Sequence, residues 1–356
     1  MTHPLLARAE AGGTPIIDGD TATFLWQGAE PPLLLSDLHG WNPTQSGEWT
    51  PCEPGLWSHT MTLAPDAYLE YAFQTGPAEN DRTTDPFNNR ATPNGIGQVN
   101  HFFYMPRGAA TPLAQRGRGV QTGTVTRLVV EHKMLVVGGK RPVWLYQPPT
   151  PDPVPLLVVW DGGDYYRRGR LTTIVDNLIN QRRIRPVALA LVENGGQARV
   201  VEYACSDASI GFVMQCVVPL AAERLRLIDA QASPGSRGTY GVLGASMGGL
   251  MALYMGLRLP QVFGHVLSQS GAFAQEPQPW VATDLVRDGA IRPLKIWMDV
   301  GRYEWLLPGN RAMHALLAAR GYDVAYREFS GGHNFPAWRD DIWRGLEHLY
   351  PGEALS

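Results

Sequence analysis

Lysine is nearly absent from this chain of 356 residues: Lys133, Lys140 and Lys295 stand among 30 basic residues, and the rest are arginine. Cysteine is scarce as well. Cys52, Cys205 and Cys216 are odd in number and widely spaced, with no Cys-x-x-Cys pair, which excludes a zinc ribbon, a dithiol redox pair and a disulfide scaffold. A reducing, cytoplasmic compartment is the expectation. Blocks of like charge are missing too, and the formal balance is −3, so there is no field of the kind that holds a phosphate backbone and nucleic acid is not an expected partner. The opening MTHPLLARAEAGGTP lacks a basic stretch followed by a continuous apolar run, so no secretory leader is expected. The uncharged stretch Gly238 to Leu257 has the length to cross a bilayer, but its glycines at 238, 241, 244, 248, 249 and 256 speak for a strand, a tight turn and a packed helix, and no membrane partner is expected. No His/Cys/carboxylate cluster has metal-ligating spacing, so neither metal nor cofactor is expected.

What is present is a folded chain: 44% hydrophobic, 18% charged, with 11 Trp, 13 Tyr and 10 Phe, and a length that suits two domains. Between about 20 and 105, short strands (TATFLW, PPLLLSD, LWSHTMTL, YLEYAFQ, VNHFFYM) alternate with the turn clusters GWNPTQSG, PAENDRTTDP and TPNGIG, the spacing of a small β-sandwich. The aperiodic PRGAATPLAQRGRG then reads as a link, giving residues 1–119 as sandwich and linker and 120–356 as a second domain. In the second domain, apolar runs LLVVWD, VALALVEN, TYGVLG, HVLSQS, LKIWMDV and VAYREF alternate with helical patterns at about 170–182, 212–228, 247–258, 310–320 and 338–349. That predicts an α/β fold on a mostly parallel sheet, opened by the hairpin TRLVVEHKMLVV and RPVWLYQP.

The chemistry centres on Gly244-Ala245-Ser246-Met247-Gly248, with a strand before it and a helix after it, the context of a nucleophile elbow. Ser246 needs a base, and His333 in Gly331-Gly332-His333-Asn334 follows the last strand; a loop histidine bonded to a carbonyl is the bland alternative. The imidazole needs an orienting carboxylate. Glu304 lies in the loop after LKIWMDV, whereas Asp299 is still on the strand; a salt bridge from Glu304 to Arg302 or Arg311 is the structural alternative. Oxyanion donors are expected from the backbone N–H groups of Met247 and of Gly163, in Asp161-Gly162-Gly163-Asp164.

From about 155 to 349, VVWDGGDYYRRG, RVVEYACS, VLGASMGGLMALYMGLRLPQVFGHVLSQSG, VGRYEWLLPGNRAM and FSGGHNFPAWRDDI together resemble the esterase D group of α/β-hydrolases, nearest the enterochelin (ferric catecholate siderophore) esterases; the group also holds feruloyl esterases and mycolyltransferases. Residues 20–105, with SDLHGWNP and TTDPFNNR, resemble the early-set Ig-like domain that precedes the catalytic domain in enterochelin esterases. The resemblance implies Ser246 as nucleophile, His333 as base, Glu304 as acid and Gly163 with Met247 as oxyanion donors. It also sets Arg199 and Glu202 near the site. The family commonly carries a bulkier residue where Gly163 stands, which predicts a wider entrance here.

A ferric tris-catecholate is anionic and aromatic, so Tyr165, Tyr166, Arg199, Trp305 and Trp338 are expected to bind substrate, with Arg167, Arg168 and Arg170 also near the mouth. The expected function is serine-dependent ester hydrolysis through an acyl-enzyme, on a small-molecule ester such as an iron–siderophore complex, with self-association left open. The alternatives are a feruloyl or acetyl esterase with a carbohydrate-binding N-terminal module, for which Trp41, Trp49 and Trp57 would supply the stacking platform, and an inactive binding protein on a hydrolase fold. The sandwich is expected to be a fixed wall of the substrate pocket.

Overall fold

The computed structural model describes residues 2–76, 78, 81–95, 97–230, 236–273 and 279–352; parts of the turn clusters expected over 77–86 and 92–97 lie outside them. The chain forms two compact units. The first comprises Met1–Ala110 together with two short segments from far along the chain, Gly301–Trp305 and Phe329–Ala337, and the second comprises the remainder. No single cut such as 119/120 expresses that division.

The first unit is all-β apart from short helical turns and one helix, α1 (Pro4–Gly12), which the sequence reading did not anticipate. Pro4 at its first position and the His3 side chain accepting from Leu5 N start it, a use of proline that the missing N–H favours. Nine strands follow: β1 (Ile16–Asp18), β2 (Thr21–Gln27), β3 (Leu33–Ser36), β4 (Thr50–Glu53), β5 (Leu56–Thr62), β6 (Tyr68–Gln74), β7 (Arg82–Thr83), β8 (Ala91–Pro93) and β9 (Val99–Tyr104). One sheet has the order β1-β2-β5-β4 and the other β3-β6-β9-β8, with β7 beside β6. The five expected strands correspond to β2, β3, β5, β6 and β9. The four others have two to four residues each, and β4 and β8 carry Pro51 and Pro93, so alternation has no room to appear in them. The core is aromatic: Phe24, Tyr71, Phe73 and Phe103 are fully buried, and Phe24 meets Tyr71 edge-on with ring centroids 4.8 Å apart.

The second unit is built on an eight-stranded mixed sheet, order β10-β11-β13-β12-β14-β15-β16-β17. Its strands are β10 (Thr124–Glu131), β11 (Lys140–Gln147), β12 (Leu156–Val159), β13 (Ala188–Val192), β14 (Tyr240–Ala245), β15 (Phe263–Gln269), β16 (Lys295–Gly301) and β17 (Asp323–Phe329). β10, β11 and β13 pair antiparallel, and β12 to β16 pair parallel. Every residue of β12, β13, β14 and β15 is buried, which is why these strands read as continuous apolar runs and not as alternation. The helices are α2 (Gly162–Arg167), α3 (Leu171–Asn180), α4 (Arg199–Tyr203), α5 (Asp207–Phe212), α6 (Val218–Arg224), α7 (Met247–Arg258), α8 (Val281–Asp288), α9 (Leu307–Ala319) and α10 (Phe335–Leu349). α2, α4, α5 and α8 leave no helical pattern in the sequence because each has eight residues or fewer, too short for a 3.6-residue period to register. The uncharged stretch Gly238 to Leu257 resolves into β14 and α7; among the described residues no single helix is long and apolar enough to cross a membrane. The expected link is only partly irregular, since Asn177 Nδ2 donates to the carbonyls of Leu113 and Gln115, each at 2.8 Å.

Candidate active site

β14 ends at Ala245 and α7 begins at Met247, so Ser246 alone makes the turn, at φ 58° and ψ −122°. This left-handed backbone is strained for a residue with a side chain, and such strain survives only where the surroundings over-determine it. Here they do: Ser246 N donates to Gln269 O at 2.9 Å, and its carbonyl accepts from Leu250 N at 3.1 Å and Ala272 N at 3.0 Å. The flanking glycines are required by contact. A Cβ on Gly244 would lie 2.3 Å from Gly248 O, backbone against backbone. Met247 N–H is in the first turn of α7, ahead of the first intrahelical bond, and is therefore a donor without a helical acceptor.

The loop after β12 is held from the other side. Asp161 sits at φ 54° and opens α2. Its carboxylate takes two bonds of 2.6 Å from Arg199 Nε and Nη2 and one of 2.9 Å from Asn194 Nδ2, and its N–H donates to Tyr203 Oη at 3.0 Å. Arg199 Nη2 also donates to Ala245 O at 3.2 Å. One guanidinium thus ties the loop of Gly162 and Gly163 to the residue before the serine, and the fork geometry of arginine is what permits it. Arg199 is a clamp of this backbone. Glu202, three residues on, is buried against Arg141 and accepts from Val137 N at 2.8 Å, holding α4 to the hairpin.

Gly163 lies in the first turn of α2, so its N–H also precedes the helical bonds. The expectation of a wider entrance beside it is corrected by the structure. The space a Cβ would take at 163 is filled by the ends of Glu193, 2.1 Å away, and Arg167, 2.7 Å away. It is Gly162 that meets immovable backbone, with Leu191 C and Val192 N at 2.2 and 2.4 Å from a Cβ there.

Glu304 and His333 both belong to the first unit. β16 ends at Gly301 and β17 at Phe329, and the loops that follow carry Glu304 and His333. Glu304 Oε2 accepts from His333 Nδ1 at 2.5 Å, and Glu304 Oε1 accepts from Gly301 N at 2.6 Å. The Glu304 side chain is 0% exposed and that of His333 13%. Binding Nδ1 in this way fixes the tautomer in which Nε2 is the acceptor. His333 Nδ1 faces a carboxylate, not a carbonyl, and the Arg311 alternative for Glu304 does not hold, because Arg311 is paired bidentately with Glu328 at 2.6 and 2.8 Å. Asp299 is elsewhere, fully buried in the second unit and accepting from Trp297 Nε1 at 2.8 Å. Burial, then the Asp341 charge, raises its carboxyl well above the usual carboxylate range, so it is held toward the neutral form, which cannot stabilise an imidazolium.

The expected substrate residues divide. Trp305 is 57% exposed, with its ring 4.7 Å from that of His333. Tyr166 is half-buried and stacks on Trp144. Tyr165 and Trp338 are core residues: Tyr165 Oη donates to Gln269 Oε1 at 3.0 Å, and Trp338 Nε1 to Ser270 Oγ at 2.9 Å. Their sequence positions, just after a strand end and at a helix start, gave no sign of the buried polar groups they satisfy. Among the arginines, Arg167 lies over the Trp144 ring and Arg168 pairs with Asp164. Arg170 caps α3 in a left-handed conformation. In the sandwich, Trp41, Trp49 and Trp57 are each half-buried on separate partners: Asp37, the rings of Phe73 and His59, and Gly28 O. Among the described residues no group of three or more His, Cys, Asp or Glu side chains converges as a metal site would require.

Residues 136–349 match the model of the Esterase family, described as "Putative esterase". An iron(III) enterobactin esterase of Dickeya dadantii is 31% identical over 276 residues, covering 70% of this chain and 61% of the relative, and an iron(III) salmochelin esterase of Escherichia coli O6:H1 is 25% identical over 82% of this chain and 71% of its own. The chain thus spans less than two thirds of the Dickeya protein's length. A crystal structure of the ferric enterobactin esterase from Salmonella typhimurium superposes with a TM-score of 0.75 at 21% identity, covering 94% of this chain and 95% of the other. A ferulic acid esterase from Anaeromyces mucronatus reaches 0.55 at 15%, over 67% of this chain and 95% of the other. With a serine elbow, a carboxylate-bound histidine and a family model that covers more than half of its length, the chain belongs to the esterase family.

Proposed function

We propose that this chain is a serine carboxylic-ester hydrolase of the α/β-hydrolase fold, preceded by an early-set Ig-like domain, and that its substrate is the ester of a catecholate siderophore. The observation that carries the chemistry is the 2.5 Å bond from His333 Nδ1 to the buried Glu304, because a carboxylate shielded from water and aimed at one imidazole nitrogen prepares the other to take a proton. In the proposed cycle Nε2 of His333 takes the Ser246 hydroxyl proton as Oγ bonds to the ester carbon. The resulting oxyanion is received by the N–H groups of Met247 and Gly163. The tetrahedral species collapses with cleavage of the carbon–oxygen bond, and His333 returns the proton to the departing alkoxide. Water, deprotonated by His333, then attacks the acyl-enzyme, and Ser246 regains its proton as the acid leaves.

The substrate class is supported by the names of the relatives, which are enterobactin and salmochelin esterases, and by the exposed Trp305 ring beside His333, a π-face for a catechol. Iron is cargo in this reading and takes no part in the bond changes. The test is a panel of a catecholate trilactone, a feruloylated sugar, an acetylated sugar and a p-nitrophenyl ester. The proposal expects the largest kcat/KM on the trilactone. A larger value on either sugar ester would replace the siderophore reading, and no hydrolysis of any of the four would leave an inactive binding protein.

A further inference from the structure

The loop that carries His333 rests on the N-terminal sandwich through one carboxylate. Asp37, 2% exposed, stands in the turn after β3. Its Oδ2 accepts from Glu70 N on β6 at 2.8 Å and from Asn334 Nδ2 at 3.0 Å, and its Oδ1 accepts from Trp41 Nε1 at 3.0 Å. Asn334 is the residue after the base. Its own Oδ1 accepts from Ala337 N at 3.0 Å, so the amide is fixed at both ends, one on the sandwich and one on the first turn of α10. The approach is close: a Cβ on Gly332 would lie 2.1 Å from Asp37 Cγ, which explains why the residue before the base is glycine.

Two further bonds fasten the same loops to the same unit. Tyr68 N on β6 donates to Ser330 O at 3.0 Å, and Ala64 N donates to Tyr303 Oη, beside Glu304, at 3.0 Å. The His333 backbone is therefore bracketed by Ser330 on one side and Asn334 on the other, both bonded to residues of the sandwich.

We infer that Asp37 is a positioning residue for ester hydrolysis, holding the His333 loop through Asn334 so that the sandwich forms part of the acid–base machinery and is not only a wall for substrate. This rests on the serine-hydrolase reading above. The consequence differs from that of a wall. Loss of a wall raises KM for a bulky substrate, whereas a displaced base lowers kcat on every ester, since misplacement of about 1 Å costs on the order of 100-fold.

The experiment is steady-state hydrolysis of p-nitrophenyl acetate and of a catecholate trilactone by the full chain and its variants. Asp37→Ala and Asn334→Ala are each expected to lower kcat on both esters on the order of 10- to 100-fold with little change in KM, and the double variant to lose no more than the worse single one, since the two act through one bond. Asp37→Asn keeps an oxygen for Glu70 N and Asn334 Nδ2 and should recover most of the rate. Asp85, a buried acid bonded to Thr14, Tyr71 and Phe87 in the same unit, is the control: Asp85→Asn should lower the melting temperature and leave kcat unchanged. Near wild-type kcat in folded Asn334→Ala or Asp37→Ala would overturn the inference, as would an equal kcat loss in Asp85→Asn. Ser246→Ala separates the two readings, because full activity there removes the hydrolase mechanism itself, whereas an inactive Ser246→Ala beside an undiminished Asn334→Ala removes only the role of Asp37.

Discussion

At Glu304 the position just past a strand end sets what the carboxylate meets. The residue lies beyond the end of β16, and its carboxylate turns back to take Gly301 N with one oxygen and His333 Nδ1 with the other. Glu304→Gln retains the shape and loses the charge that steadies the imidazolium, and it is expected to lower kcat by a factor on the order of 10³ to 10⁴ with an unaltered circular dichroism spectrum. Asp299→Asn should instead act on stability, because its partners are Trp297 and Gln269 in the interior of the second unit. A second prediction concerns Asp37, whose carboxyl is pushed up to about 8 by burial and then by the Glu70 charge, against the donors that favour ionisation. The folded state then binds more protons than the unfolded state between the ordinary carboxylate range and about pH 8, so this group's contribution to stability is present at low pH and lost as pH rises through that window. Melting temperatures from pH 5 to 9 should fall less steeply in Asp37→Asn than in the parent; equal slopes would count against it. The turn at Ser246 and the meeting of Glu304 with His333 were readable because chain order and strand ends constrain where those residues stand. Asp37 was not readable, since it meets Asn334 across 297 positions of the chain. Nor was the burial of Tyr165 and Trp338, which is a property of packing and not of local pattern.

At the scale of elements, two neighbouring glycines in α2 make opposite demands. A methyl on Gly162 meets the backbone of β13, which cannot yield, and Gly162→Ala should cost on the order of 1–3 kcal/mol and lower the denaturant midpoint. A methyl on Gly163 meets only the far ends of Glu193 and Arg167. Gly163→Ala is therefore expected to fold with near-parent stability, and the reverse order of the two effects would contradict this account of the loop. The Arg199 clamp is a third element-scale feature. Arg199→Lys keeps the charge but cannot bond both oxygens of Asp161 and Ala245 O at once, so turnover should fall on small and bulky esters alike with little change in KM, where a substrate-binding arm would have raised KM for the bulky ester alone. The strand–turn–helix at Ser246 was legible because its glycines and apolar runs are local signals. The clamp was not, since Asp161 and Arg199 are separated by two helices, a strand and a turn.

For the molecule as a whole, the division into compact units follows contacts and not sequence order: the segments with Glu304 and His333 group with the sandwich, whereas Ser246 and the loop of Gly163 belong to the sheet. The change from short alternating strands to continuous apolar ones announced two kinds of architecture, but the late loops that join the first unit carry no compositional mark of doing so. The central claim is that one serine, activated by one histidine, performs the chemistry. Reaction with a fluorophosphonate, followed by mass spectrometry of the digested protein, tests it most directly. The account predicts a single adduct on Ser246 in the parent chain, formed in parallel with loss of esterase activity and strongly slowed in His333→Ala. An adduct on another residue, or full esterase activity in protein whose Ser246 is quantitatively labelled, would contradict it.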